Sequence, residues 1–168
     1  MRYHNITKDD MLNGDGLRVV LWTAGCLHHC PGCQNPITWN PNDGLLFDDN
    51  AKQEIFEQLG KPYISGLTLS GGDPLHPANR EECLALAKEV KEKFPDKTVW
   101  CYTGYEYEEA KEFGLDNIDV LCEGKFVMDK RSPNKPWVGS DNQRVVNVQE
   151  SLRTNSVVLL GEEQEEEK

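Results

Sequence analysis

The chain has 168 residues and a formal net charge of −11 at pH 7, with 38% hydrophobic and 28% charged residues. This length is typical of a single domain, and the acidic balance, with lysines and arginines scattered along the chain, argues against nucleic acid as a partner. No apolar run approaches the roughly 18 residues that a membrane span needs, and the opening MRYHNITKDD lacks the apolar stretch of a signal peptide, so we expect a cytoplasmic protein with no membrane contact.

Apolar runs and helical spacing predict strands and helices in alternation. LRVVLW is a short apolar run typical of a buried strand, and DDNAKQEIFEQLG places apolar side chains on one helical face between an aspartate start signal and Gly60. In chain order, the predicted elements are a strand at 17–22, a helix at 48–60, a strand at 64–72, a helix at 77–94, a strand at 98–103, a short helix at 107–114, a strand or strand pair at 118–127, and further candidate strands at 143–148 and 155–160.

This alternation is typical of a parallel sheet with helices packed over it. A closed eight-stranded barrel needs about 200 residues or more, so we predict an α/β fold built as a partial, open β/α barrel with a mostly parallel sheet. Residues 1–160 form the single predicted domain, and the acidic run at 161–168 is expected to be a disordered tail. Four polar or glycine-rich segments follow predicted strands and should share one edge of the sheet: the cysteine loop, SGGDP, YTGY and EGKF.

The cysteine loop, GCLHHCPGCQNP, carries Cys26, Cys30 and Cys33 in the spacing C-x3-C-x2-C. In a reducing compartment, thiols this close more often bind metal than form disulfides. Thiolates are soft ligands that suit zinc or iron–sulfur clusters, and structural zinc sites usually present two pairs of ligands. Three thiolates would leave one iron of a cubane cluster open for substrate chemistry.

The sequence offers few candidates for a fourth protein ligand. Cys83 lies on the apolar face of a predicted helix, and Cys101 and Cys122 lie inside predicted strands, so we interpret all three as small core residues. His28 and His29 stand between the first two loop cysteines and could supply a nitrogen ligand. A zinc- or cluster-binding module without catalysis is therefore the alternative to an enzyme.

The cysteine loop after a first strand resembles the signature of the radical S-adenosylmethionine superfamily. The resemblance implies that Cys26, Cys30 and Cys33 hold a 4Fe–4S cluster whose open iron is chelated by S-adenosylmethionine. It also implies the partial barrel of that superfamily. In its members, an electron from the reduced cluster cleaves the cofactor to methionine and a 5′-deoxyadenosyl radical, which abstracts a hydrogen atom. The cofactors carry this chemistry, so no catalytic acid or base is expected from the protein.

SGGDP, at 70–74, closes the second predicted strand. Two consecutive glycines let the backbone approach a ligand closely, and a carboxylate can accept from an ammonium group. The alternative is an ordinary strand-to-helix turn, in which Asp73 or Asn79 caps the next helix. The segment resembles the glycine-glycine-acid motif of the superfamily, with aspartate where glutamate is commoner. That resemblance implies that Gly71, Gly72 and Asp73 bind the methionine amino group of the cofactor.

Three further polar residues are candidates for contacts with the cofactor, and one of them, Asn35, matches a superfamily position that contacts it. The resemblance implies that Thr103 contacts the ribose, although a helix cap or a turn is an equal alternative for its hydroxyl. Lys125 would meet the cofactor carboxylate, against the alternative of a solvated lysine. Asn35 would contact the nucleoside through its side-chain amide.

Residues 1 to about 153 resemble one branch of the superfamily, the activating enzymes of anaerobic (class III) ribonucleotide reductases. The segments that carry the resemblance are NGDGLR, WTAGCLHHCPGCQNPITW, LTLSGGDPL, WCYTGY, DVLCEGKF and GSDNQRVVNVQESL. Activases of pyruvate formate-lyase are longer and usually have His-Asn where this chain has Gln34-Asn35.

The resemblance implies that the partner is the large subunit of the reductase, on which a glycyl radical is generated, and that a reduced flavodoxin-type protein donates the electron. An activase of another glycyl-radical enzyme, or radical chemistry on a small molecule, is the alternative. Arg18 and Arg144 could bind the partner or the cofactor carboxylate. The alternative for both is a salt bridge at the surface or at the edge of the core.

Overall fold

The structure is a computed structural model that describes residues 1–31, 39–132 and 137–161. Within these residues, one seven-stranded sheet has the order β3-β1-β2-β4-β5-β6-β7. Strands β2, β4, β5 and β6 pair in parallel, whereas β1, β3 and β7 pair antiparallel with their neighbours. The strands are β1 (Arg2–Asp10), β2 (Arg18–Thr23), β3 (Leu45–Leu46), β4 (Gly66–Gly71), β5 (Thr98–Tyr102), β6 (Val120–Glu123) and β7 (Arg144–Asn147).

Four helices in the described residues connect or follow these strands. They are α1 (Asp49–Leu59), α2 (Arg80–Lys93), α3 (Tyr107–Ala110) and α4 (Val148–Thr154). The predicted start and stop of α1 are confirmed, because the Asp48 carboxylate accepts from the Ala51 amide at 2.9 Å and Gly60 is the C-cap. The short helix α3 continues into a 3-10 turn at Lys111–Phe113. No helix in the described part of the chain is long and apolar enough to cross a membrane.

The two faces of the sheet pack differently. Alternate residues of the parallel strands point to the face that α1 and α2 cover, where they form the main core. Fully buried side chains on this side include Val19, Leu21, Leu67, Leu69, Val99, Leu121, Ile55, Leu59 and Val90. A smaller cluster of Trp100, Val120 and Cys122 packs against Trp137 and Tyr102. Both faces of the central strands are thus buried, as is usual for parallel sheets.

The α/β class and the open sheet with parallel central strands are confirmed, whereas some peripheral predictions are wrong. No strand was predicted over Arg2–Asp10, yet β1 forms a long antiparallel pair with β2. The candidate strand at 155–160 is reduced to one bridge between Val146 and Leu159, preceded by the unpredicted helix α4. The strand or strand pair at 118–127 is the single strand β6. The acidic tail at 162–168 lies outside the described residues.

Arg18 is a structural residue at the first position of β2, which is the sheet end opposite to the cysteine loop. Its guanidinium is buried and donates to the Thr68 and Thr98 hydroxyls, both at 2.9 Å, and to three backbone carbonyls. Burial lowers the pKa of Arg18 to about 10. The predicted salt bridge of Arg18 is therefore wrong for the described residues, and its buried position at the sheet end opposite to the cysteine loop gives no support to a contact with a cofactor.

Candidate functional site

The carboxyl ends of the four parallel strands lie side by side at one edge of the sheet, which we call the rim. The cysteine loop follows β2, the pair Gly72-Asp73 follows β4, Thr103 follows β5 and Gly124 follows β6. The in-register parallel pairing of these strands brings the four segments together. The prediction that they share one edge is confirmed for the residues that the structure describes.

The double glycine lets β4 approach the backbone of β2 at the rim. Gly71 has φ +107°, and a Cβ at this position would stand 2.4 Å from the Thr23 nitrogen. Gly72 donates its amide to the Thr23 carbonyl at 2.9 Å, and the Asp73 amide donates to the Gly25 carbonyl at 2.6 Å. These bonds tie the end of β4 to the start of the cysteine loop. The glycines are thus required by a strand–strand contact, while their role towards a cofactor stays a prediction.

Replacing Gly71 by alanine is expected to lower the free energy of unfolding by about 3 kcal/mol, because the positive φ is strained for alanine and the added methyl group meets backbone. Gly114→Ala is the matched control, since Gly114 has φ +93° with open space around the added Cβ. Urea unfolding of both variants measures the difference. Equal losses would contradict the close approach of β2 and β4.

Asp73 is the most heavily bonded side chain of the rim. Its carboxylate is 1% exposed. One oxygen accepts from the Leu75 amide and the Thr103 hydroxyl, both at 2.8 Å. The other accepts from the Gly104 amide at 3.0 Å and from His28 Nε2 at 2.8 Å. Asp73 therefore joins the segments after β2, β4 and β5 in one buried network.

The helix-capping alternatives for these residues are wrong. Asn79 occupies the N-cap position of α2, but its side chain makes no cap bond and donates instead to the carbonyls of Ala24 and Asp73 at 2.8 and 3.0 Å. The Thr103 hydroxyl accepts from the Tyr105 amide at 3.2 Å, so the turn alternative for Thr103 is confirmed. Its contact with a ribose stays a prediction.

Cys26 and Cys30 are free thiols, and both are half-buried at the rim. Burial raises the pKa of Cys26, whereas the backbone N–H groups of His28 and His29, which face its sulfur, act in the opposite direction. N–H groups directed at sulfur are typical of thiolates that bind iron–sulfur clusters. The Cys26 thiol therefore fits a cluster, and Cys30, a free thiol at the same rim, is the second described candidate ligand. Cys33 lies outside the described residues.

Neither histidine of the loop is placed as a metal ligand. The His28 ring contacts the edge of Tyr105, with 4.6 Å between centroids, and its Nε2 faces Asp73. The His29 ring stacks on Trp39 at 4.5 Å. Across residues 1–31, 39–132 and 137–161, no group of three His, Cys, Asp or Glu side chains could hold a metal ion. The described residues thus give no support to a histidine as fourth ligand.

The other three cysteines are core residues, as predicted. Cys83 is buried in α2, Cys101 in β5 and Cys122 in β6. Burial raises the pKa of each thiol, in the case of Cys122 to about 12. Neutral buried thiols of this kind are poor metal ligands.

A cleft of about 700 Å³ opens beside the Asp73 network. The cysteine loop, the segment after β5 and the segment after β6 form its walls, and it is lined by Leu27, His28, Gly104, Tyr105, Glu106, Glu108, Glu109, Lys125, Val127 and Asn142. Lys125 is exposed at its mouth. The cleft is thus large enough for a small-molecule cofactor and reaches two of the groups that bind Asp73. Asn35 lies outside the described residues.

The segment GSDNQR braces the wall that carries Lys125. The Gln143 side-chain oxygen accepts from the amides of Gly139 and Ser140, both at 3.0 Å, and its nitrogen donates to the Gly124 carbonyl at 2.9 Å. Asn142 donates to the Lys125 carbonyl at 2.8 Å. No general physical rule explains this motif from the sequence alone, and in the structure it holds the segment after β6 in place.

Arg144 forms the predicted salt bridge, with a partner that the sequence did not reveal. Its guanidinium donates to both carboxylate oxygens of Glu123, at 3.0 and 2.8 Å, and to the exposed Glu108 at 2.8 Å. Glu123 is buried and also accepts from the Tyr107 amide at 2.6 Å. The antiparallel register places Glu123 opposite Arg144. The pair fixes the start of α3, whose glutamates line the cleft.

Comparison with known proteins agrees with this site. Residues 12–146 match the family described as a 4Fe-4S single cluster domain. The anaerobic ribonucleoside-triphosphate reductase-activating protein of Enterobacteria phage T4 is 49% identical over 147 residues, covering 86% of this chain and 93% of the relative. Proteins of the same name from Haemophilus influenzae and Escherichia coli are 43% and 41% identical over 148 and 150 residues, covering 96% and 97% of those chains.

The rim with its cysteine loop is accordingly part of a 4Fe-4S single cluster domain. Within that class, the chain belongs to the family of anaerobic ribonucleoside-triphosphate reductase-activating proteins.

Proposed function

We propose that this protein is a radical S-adenosylmethionine activase that generates a glycyl radical on the large subunit of an anaerobic ribonucleotide reductase. When bound, the reduced cluster supplies the one electron that cleaves S-adenosylmethionine to methionine and a 5′-deoxyadenosyl radical, and the hydrogen atom which this radical takes from a glycine Cα leaves the glycyl radical. The family membership and the 4Fe–4S domain support the proposal. The open sheet is compatible with the partial barrel of that superfamily.

The single observation that carries the proposal is the contact between the cysteine loop and Asp73. His28, the second residue after Cys26, reaches the Asp73 carboxylate at 2.8 Å. A cluster held by the loop would therefore lie close to the acid proposed to bind the cofactor. Asp73 would orient the amino group of the cofactor there, because a buried carboxylate binds an ammonium group strongly.

The remaining residues would position the cluster and the cofactor. Cys26, Cys30 and Cys33 would hold the cluster as thiolates. Lys125, at the mouth of the cleft, would pair with the cofactor carboxylate. Contacts with the glycine-rich turn and the nucleoside complete the proposed site, through Gly71, Gly72, Thr103 and Asn35. The walls of the cleft would limit the access of water to the reacting atoms.

The proposed reaction needs two protein partners. The names of the family members indicate an anaerobic ribonucleoside-triphosphate reductase as the substrate. A reduced flavodoxin-type protein in the cytoplasm is the electron donor that we propose. The cleft beside the cysteine loop lies at the surface, where a loop of a large protein could enter.

The test is an electron paramagnetic resonance spectrum of the reconstituted, reduced protein mixed anaerobically with S-adenosylmethionine and the large subunit of an anaerobic ribonucleotide reductase. We expect a glycyl-radical doublet, and none when Cys30→Ala replaces the native chain. A known activase in a parallel tube shows that the reductase is competent. If the cluster signal changes on adding S-adenosylmethionine but no doublet forms, the substrate assignment is wrong. If no cluster signal is present, the radical mechanism is wrong.

A further inference from the structure

The Asp73 carboxylate has no free acceptor position. Each oxygen accepts from two donors at 2.8 to 3.0 Å, and the Thr103 hydroxyl also approaches the second oxygen at 3.0 Å. A carboxylate accepts about four hydrogen bonds in all. A ligand that binds to Asp73 must therefore displace one of the donors that already bind to it.

The four donors differ in how easily they can leave. The Leu75 amide belongs to the turn that Asp73 itself starts, and the Gly104 amide belongs to the backbone after β5. The Thr103 hydroxyl is held a second time by the Tyr105 amide. His28 is the only donor that comes from the cysteine loop, and a rotation of its side chain releases the carboxylate without moving backbone. His28 is therefore the donor that a ligand can replace at the lowest cost.

The His28 ring fills the space in front of the carboxylate. It is 8% exposed, with its edge-to-face contact on Tyr105 and with Gly104 so close that a Cβ there would stand 2.4 Å from the ring. The ring also lines the cleft. A ligand that approaches Asp73 from the cleft thus meets the imidazole first.

We propose that His28 competes with the cofactor for Asp73 and thereby limits its affinity, because its imidazole occupies the position on Asp73 that the cofactor ammonium takes. The inference rests on the proposed function. The cofactor ammonium brings a full positive charge and a charge-assisted hydrogen bond to the buried carboxylate, so binding of the cofactor displaces the ring. A ligand without the ammonium group forms no charge-assisted hydrogen bond with Asp73. It therefore leaves the bond between His28 and Asp73 in place. His28 thus lowers the affinity for the ligand that carries the amino group and leaves the affinity for a deaminated ligand unchanged.

The test compares cluster-loaded native protein with His28→Ala and His28→Gln, matched in iron content. Anaerobic isothermal titration calorimetry measures the dissociation constant of S-adenosylmethionine and of the analogue that lacks the α-amino group. We expect His28→Ala to bind S-adenosylmethionine about fivefold more tightly, because one competing hydrogen bond is gone. His28→Gln keeps a donor and should stay within about twofold of the native protein. The deaminated analogue should bind all three proteins equally.

The outcomes separate this inference from the proposed function. Tighter binding that is confined to His28→Ala and to the ligand with an amino group supports the inference. Equal or weaker binding of S-adenosylmethionine by His28→Ala overturns it and leaves the proposed function in place. An equal gain for the deaminated analogue also overturns it, since the ring would then only narrow the cleft. If the native protein binds no S-adenosylmethionine, the proposed function and the inference both fail.

Discussion

Replacing Cys30 by alanine is expected to abolish assembly of the 4Fe–4S cluster, from about four irons per chain to almost none. Cys30 is a free, half-buried thiol of the rim loop, and the spacing provides only three thiolates close together. A cubane cluster that loses one of its three protein ligands has two irons without a protein ligand. Iron and sulfide analysis after anaerobic reconstitution, together with the visible absorption of the cluster, measures the effect.

Cys83→Ala is the matched control for this prediction. Cys83 is a fully buried residue of α2, with its sulfur 3.3 Å from the Met1 sulfur, and burial raises the pKa of its thiol. The substitution should cost about 1 kcal/mol of stability through lost packing and leave the iron content unchanged. A cluster retained in Cys30→Ala would refute the assignment of the ligands, and a cluster lost in Cys83→Ala would show that the core thiols also take part.

The central strands could be predicted because their side chains decide their conformation. β2 and β4 are almost fully buried: β2 is a short apolar run that stops shortly before Gly25, and β4 ends at Gly71. β1 could not be predicted in this way, since Ile6 is its only buried residue. It is a strand because its backbone pairs with β2, a contact between segments that carries little signal in local composition.

In the candidate site, too, the local sequence predicted some features, whereas contacts between distant segments could not be predicted. The residue types and their order after the strands predicted that the cysteine loop and Asp73 would meet at the rim. The partner of Asp73 was missed, because His28 and Asp73 are 45 residues apart and a histidine between two cysteines is more readily interpreted as a metal ligand. Glu123 was also missed. Its position opposite Arg144 follows from the antiparallel register of β6 and β7, which local patterns do not determine.

Replacing Arg144 by methionine is expected to lower the free energy of unfolding by about 3 kcal/mol. Glu123 is 1% exposed, and the substitution removes the two guanidinium bonds that compensate its buried charge, leaving only the bond from the Tyr107 amide. The loss should fall near the lower end of the range for broken buried pairs, because Arg144 is 31% exposed and water can enter. Urea unfolding under anaerobic conditions, with matched cluster content, provides the measurement.

Two further variants test whether the buried charge is the cause. Glu108→Gln removes only the exposed partner of Arg144 and should cost less than about 1 kcal/mol. Adding Glu123→Gln to Arg144→Met removes the uncompensated charge and should restore part of the stability. If the double variant is as unstable as Arg144→Met alone, the arginine stabilises the protein through packing, and the ion pair between β6 and β7 contributes little. Recovery would instead show that the Glu123 charge requires Arg144, and that this pair anchors α3 at the edge of the cleft.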